Sequence, residues 1–308
     1  MRRSGRCWAV ALVLVAGAPR AHATYSIVAA DTATREVGGS GTSCLSGADV
    51  YIIYGSVPGV GAVHTQATYS STVHDRAVEL VREGLAPADV IDALDDTSLD
   101  PDVRLRQFGV VDVSGRTAGF TGTGARAYAG DRQGRLDDFR YSAQGNILTS
   151  EAVLSQAAAA FEAPACDLAE RLMRALEAGG ERGEGDSRCT ASRGIPSDSA
   201  FVQVDRPNEA AGSYLELHVE SSGDRNPLPL LRAEFDAWRE THPCPAAGGD
   251  PDPPPGAPGP AAPAAEADPG CGCRVFPTGS RPPLAAWGFA LAVLLARGRR
   301  WNARRFRC

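Results

Sequence analysis

The sequence predicts an α+β domain of mostly antiparallel sheets with helices packed outside them, occupying residues 24–244 of a 308-residue chain. Three observations lead there. Strand-like runs arrive in groups and do not alternate one for one with helices, as a parallel doubly wound sheet would require. Both ends of the chain change composition sharply and do not read as fold. The stretch between them holds 19 Arg against 33 acidic residues, a net charge of −14 where the whole chain has −6. Such a surface repels phosphate backbones and anionic headgroups, so no nucleic acid is expected as a partner. Lys is absent altogether, which excludes Schiff-base, pyridoxal-lysine and P-loop lysine chemistry.

The elements follow in order. Residues 25–30 are short, apolar and β-prone, and Asp31-Thr32-Ala33-Thr34 gives a turn into a second extended stretch at 37–44, hence a hairpin. Residues 50–54 and 60–68 read as two more strands separated by Pro58-Gly59. Apolar residues at Val78, Val81, Val90, Ile91 and Leu94 predict helices over 71–83 and 87–94. Alternation returns at 105–112 and 117–121, joined by Ser114-Gly115, with a further short strand at 141–144. An Ala-rich helix at 150–162 and another at 167–178 follow. Strands at 201–204 and 215–220 precede a last helix at 228–241.

The two ends read as addresses. Residues 1–23 combine a basic start, twelve apolar residues from Cys7 and the small-residue pattern Ala21-His22-Ala23, a signal peptide whose removal by signal peptidase makes Thr24 the first mature residue. Twelve apolar residues fall short of the ~20 of a spanning helix. Residues 245–270 hold nine Pro and form a Pro/Ala/Gly-rich linker. Residues 271–308 contain Cys271-Gly272-Cys273, thirteen apolar residues at 284–296 and a run of Arg. This layout resembles the myxobacterial C-terminal sorting signal. The resemblance implies a sorting protease that cuts near Cys271 and Cys273 and leaves the protein secreted, at the cell surface or anchored in the outer membrane.

Four cysteines remain in the mature domain: Cys44, Cys166, Cys189 and Cys244. In an exported chain they predict two disulfides, with three possible pairings. Cys166 and Cys189 flank one helix, which favours that pair and leaves Cys44 with Cys244.

The candidate chemistry starts from Thr24. A Thr at a processed terminus carries nucleophile and base in one residue, because its free α-amine, with a reference pKa of ~7.7–8.0, can take the hydroxyl proton. Period-two alternation puts Thr24, Ser26 and Val28 on one face and Tyr25, Ile27 and Ala29 on the other, so Ser26 supports Thr24. The same alternation groups His64 with Gln66, polar residues in an otherwise small and apolar strand; a satisfied polar pair in a sheet is the competing reading. In Gln144-Gly145-Asn146 the Gly permits close backbone approach and the Asn amide can donate to an oxyanion, although Gly-Asn is also a turn dipeptide. Gly185-Asp186-Ser187-Arg188, read as a loop before a strand, offers an Arg to hold a substrate carboxylate with Asp orienting it, or merely a solvated ion pair. No Gly-x-Ser-x-Gly elbow and no His-Glu-x-x-His is present. Neither a metal nor a cofactor is expected.

Four ordered blocks, Thr24-Tyr25-Ser26-Ile27-Val28-Ala29-Ala30-Asp31, Gly59-Val60-Gly61-Ala62-Val63-His64-Thr65-Gln66-Ala67, Arg106-Gln107-Phe108-Gly109-Val110-Val111-Asp112 and Gln144-Gly145-Asn146-Ile147-Leu148, resemble the bacterial family known as domain of unknown function 1028. The resemblance runs from Thr24 to about His242. It implies an Ntn-hydrolase-like, four-layer αββα sandwich and an amidohydrolase in which Thr24 attacks a small amide or peptide-like substrate. Asn146 would steady the oxyanion, Ser26, His64 and Gln66 would orient these groups, and Gln144, Asp186 and Arg188 would meet the substrate. A non-catalytic cell-surface binding module on the same fold is the alternative. One departure from the family pattern is the second strand, where Gly38-Gly39-Ser40-Gly41 replaces an apolar run; three glycines are expected to weaken it.

Overall fold

A computed structural model describes residues 24–245 except 46 and 222. The segment expected to be a signal peptide (1–23), nearly all of the expected linker (245–270) and the tail with Cys271 and Cys273 lie outside the described residues. The fold is α+β, built from two antiparallel sheets.

The larger sheet has six strands, in the order β10 (Leu215–Val219), β9 (Ser199–Asp205), β2 (Val37–Ser43), β1 (Thr24–Asp31), β8 (Phe139–Asn146), β7 (Gly130–Leu136). The smaller has four: β3 (Tyr54–Val57), β4 (Gly61–Ala67), β5 (Arg106–Asp112), β6 (Thr117–Thr121). The sheets lie against each other, with β1 over β4 and β5 and with β8 over β5. Between them Val28, Ala30 and Val37 meet Tyr54, Ala62, Val111 and Phe201.

Helices cover the outer faces. On the larger sheet lie α3 (Ala152–Glu162), α4 (Leu168–Gly179) and α6 (Pro227–Thr241), which bury Phe161, Leu172, Met173 and Phe235 against Tyr25, Ile27 and Ala29. On the smaller lie α1 (Ser71–Arg82) and α2 (Pro87–Leu94), packing Val73, Leu80, Val90 and Leu94 on Val63, Phe108 and Val110. Local chemistry starts them. The Ser70 side chain caps α1, Asp167 caps α4 and Asn226 caps α6, while α2 and α6 begin with Pro, whose missing N–H costs nothing in a first turn.

Several expectations need correction. Residues 50–53 form a 3-10 turn and not a strand, because Asp49 accepts from Tyr51 N and closes the backbone into a turn; the strand starts at Tyr54. β7 was not foreseen: its sequence Gly-Asp-Arg-Gln-Gly-Arg-Leu has no apolar alternation, as suits an edge strand open to water. Asp186 does not lie in a plain loop, since it caps an additional helix, α5 (Ser187–Arg193). The glycine-rich β2 is a full strand held between β1 and β9, in register from Val37 to Ser43. Its glycines make room for neighbours. A Cβ on Gly39 would stand 2.5 Å from His64 Nε2 and 2.6 Å from the Tyr54 ring, and one on Gly41 would be 2.7 Å from Phe201.

The disulfides are Cys44–Cys189 and Cys166–Cys244, the reverse of the favoured pairing. α5 brings Cys189 to the end of β2, where Asp186 accepts from Cys44 N at 2.7 Å. Arg239 of α6 bonds Asp167 through both Nη atoms (2.6 and 2.9 Å) and so holds the chain end with Cys244 beside Cys166.

Candidate active site

Thr24 opens β1 between two strand ends, opposite Ser43 of β2 and Asn146 of β8. It is 2% exposed, and its Oγ1 donates to Ser43 Oγ at 3.2 Å. One step along the same face, Ser26 Oγ donates to Gln66 Oε1 (2.6 Å), accepts from Gln144 Nε2 (2.7 Å) and lies 2.9 Å from His64 Nδ1. Ser26 has one proton and gives it to Gln66. His64 Nδ1 also lies 3.1 Å from Gln144 Nε2, so the ring either donates to Ser26 or accepts from Gln144 according to its tautomer, and its buried Nε2 has no hydrogen-bond partner. Burial, helped by the nearby His74, pushes the His64 imidazole down to about 3, so the ring is neutral at ordinary pH.

Sequence reasoning did not single out Gln107 as a site residue, yet it joins the two halves of this network. Its Oε1 accepts from Gln66 Nε2 and from Asn146 Nδ2, each at 3.1 Å, and its Nε2 reaches Gly145 O at 2.7 Å and Gly130 O at 3.0 Å. The signal was present: Gln107 is a polar residue in a strand with Phe108, Val110 and Val111, the pattern that drew attention to His64 and Gln66. Ser43 also went unnoticed.

The chain is bent at this place. Ala67, which follows Gln66, has φ +73°, and Ile147, which follows Asn146, has φ +54°. A left-handed backbone at a β-branched residue is costly, and such strain collects at functional sites. Ile147 is held by its N–H to Arg126 O and by Ser187 N and Oγ, which both donate to Ile147 O.

Asp186 and Arg188 close the same end of the sheet. Asp186 is fully buried, caps α5 through Arg188 N (2.9 Å) and takes Cys44 N; Arg188 Nη2 donates to Asp186 (2.9 Å) and to Cys44 O (2.7 Å). These contacts fix the backbone that follows Ser43. A bound ion is a poor fit here: the nearest donor set, Cys44, Cys189 and Asp198 within 4.8 Å, has its two sulfurs bonded to each other and its carboxylate paired with Arg193 at 2.7 Å. Among the described residues no helix is long and apolar enough to cross a membrane; segment 284–296 lies outside them.

No curated protein matches the chain. A crystal structure of a Silicibacter pomeroyi protein of the DUF1028 family is similar to it, at 24% identity and a TM-score of 0.57, over 70% of this chain and 86% of that one. At that identity the likeness concerns the fold. The sequence profile of the family of unknown function DUF1028 matches residues 24–229, in which all the Thr24 network lies. The chain is a member of the DUF1028 family.

Proposed function

We propose that this protein is an exported, surface-displayed amidohydrolase whose nucleophile is an N-terminal Thr24. The observation that carries the reading is the position of Thr24 at the first residue of a central strand, amid a buried network of hydroxyls and amides. Two sheets with helices on both outer faces support the Ntn-hydrolase-like αββα sandwich that this chemistry would use.

In this mechanism signal peptidase frees the Thr24 amine. The amine takes the Oγ1 proton as Oγ1 bonds to the carbonyl carbon of a small amide or peptide-like substrate. Negative charge gathers on the carbonyl oxygen, where the second hydrogen of Asn146 Nδ2, the one not given to Gln107, donates. The ammonium returns its proton to the leaving nitrogen, the C–N bond breaks and an ester to Thr24 remains. Water, deprotonated by the same amine, hydrolyses that ester. His64, neutral and a weak base, serves to hold Ser26, which in turn fixes Gln66. Gln144, Asp186 and Arg188 border the substrate end. The tail directs the protein to the surface after cleavage near Cys271 and Cys273.

Peptide mass spectrometry of the exported protein tests the first step: a mature chain beginning at Thr24 supports the mechanism, and any other start removes the amine it needs. A hydroxyl-acylating β-lactone probe should then modify Thr24 in the wild type. A second reading, a binding module without turnover, draws on the cavities. Two of them, of ≈ 430 and ≈ 170 Å³, are not lined by Thr24. Absence of acylation in a chain that does start at Thr24 would favour that module.

A further inference from the structure

Gln107 is fully buried on β5, in register with Gln66 of β4 on one side and Thr121 of β6 on the other. Its amide has two unlike ends, and the atoms around each end decide which way round it lies. At one end are Gly145 O at 2.7 Å, Gly130 O at 3.0 Å and Thr121 Oγ1 at 3.1 Å. Backbone carbonyls only accept, and the Thr121 hydroxyl gives its proton to Asp131 Oδ1 at 2.5 Å. Three acceptors face this end, so it is the NH2, and Oε1 is turned the other way. There it meets Gln66 and Asn146, each at 3.1 Å. An oxygen between two amides admits only their donor ends. If Asn146 or Gln66 turned over, two buried oxygens would oppose each other with no hydrogen between them. Gln66 Oε1 is thereby aimed at Ser26, while Gln66 Nε2 also reaches Thr24 O at 3.5 Å. Asn146, the register partner of Thr24 and so on the same face of the sheet, keeps its NH2 on the Gln107 side.

We infer that Gln107 is a positioning residue of the Thr24 site: locked by Gly130 O and Gly145 O, its amide holds Asn146 as a donor and Gln66 as the acceptor of the Ser26 proton. Gly130 and Gly145 are partners across β7 and β8 of the larger sheet, whereas Gln107 belongs to the smaller. The direction of the Asn146 amide is therefore tied to the seating of one sheet on the other. The effect on reactivity rests on the reading of Thr24 as the nucleophile; the amide directions can be measured without it.

The test compares the exported wild type with Gln107→Leu and Gln107→Glu, each checked for folding by circular dichroism. One readout is hydrogen exchange of the Asn146 side-chain NH2 in nitrogen-15 NMR, its signals assigned by their loss in Asn146→Asp. The other is the rate of Thr24 acylation by the β-lactone probe across a pH series. In Gln107→Leu the Asn146 NH2 loses its acceptor, so its exchange should quicken about tenfold or more and acylation should fall about 10²-fold. Gln107→Glu separates positioning from packing. Its protonated carboxyl keeps one O–H for a carbonyl and one oxygen for the two amides, whereas its carboxylate has no donor to give. Its acylation rate relative to the wild type should therefore rise about tenfold from about pH 8 to about pH 5, while the ratio for Gln107→Leu stays flat. Unchanged Asn146 exchange in Gln107→Leu would overturn the inference. So would undiminished acylation in that variant, or a Gln107→Glu ratio that ignores pH, as a role in packing alone predicts. A wild type that begins at Thr24 and is never acylated sinks the nucleophile instead, and Asn146 exchange then decides for or against Gln107 by itself.

Discussion

The two faces of the six-stranded sheet bury their residues equally well and for opposite ends. Along β1, outward-facing Tyr25, Ile27 and Ala29 enter an apolar core with Phe161, Leu172 and Met173. Inward-facing Thr24 and Ser26, at 2% and 3% exposure, enter a band of amides and hydroxyls before Val28 and Ala30 restore apolar packing. Burying polar groups gains little stability even when every bond is made, and leaving one unmade is expensive. The outer face therefore holds the domain together, while the inner band fixes the direction of side chains. Interior amides that contribute so little to stability are better explained by positioning than by packing.

The contrast can be broken first at Thr24. Thr24→Ala should lower probe acylation by about 10³-fold or more while the urea midpoint barely moves; unchanged labelling would place the reactive group elsewhere. Phe161→Ala on the outer face should do the reverse, costing about 3–5 kcal/mol in urea unfolding with acylation per folded molecule preserved. The third comparison is with acid. His64 is neutral in the folded chain down to about 3 but takes a proton near its ordinary value when unfolded. The unfolded state therefore binds more protons between those values, and stability falls as pH drops from about 6.5 toward 3. His74, also pushed down by burial, adds to the same slope. Urea midpoints at several pH values should show a wild-type loss on acidification that His64→Gln reduces. The smallest effect belongs to Gly39→Ala, whose Cβ would crowd His64 and Tyr54. It should cost about 1–3 kcal/mol and shift the His64 ring signals in NMR, whereas a similar change at exposed Gly84, where a Cβ meets nothing within 4 Å, serves as a reference for backbone strain alone.

What could be read from the sequence follows the same division. Period-two alternation separated the two faces of β1 correctly and paired His64 with Gln66, because alternation is a property of the strand itself. α2 and β6 came out with the expected bounds, each marked by apolar spacing and clear turn residues. β7 escaped because an edge strand needs no apolar face, and residues 50–53 misled because their β-prone side chains are overruled by one Asp cap. The disulfide partners depend on which helix docks where. Nothing in the spacing of four cysteines encodes that α5 would be drawn to the end of β2 by Asp186 and Arg188. β2 looked damaged by its glycines, since a propensity argument prices a strand alone and cannot see that a second sheet approaches it within a side chain's reach.

The strand order has a further consequence, for the timing of folding. β1 meets β2 at once, but its other neighbour is β8, at 139–146, and β2 waits for β9, at 199–205. The Cys44–Cys189 bond spans 145 residues of chain in the same way. Most of the ordering entropy must be spent before these distant pairings return any of it, which is the condition for slow folding. The strand that bears Thr24 can thus be flanked by β2 and β8 and covered by β4 and β5 once residue 146 has emerged, whereas β2 keeps an open edge until β9 arrives some fifty residues later.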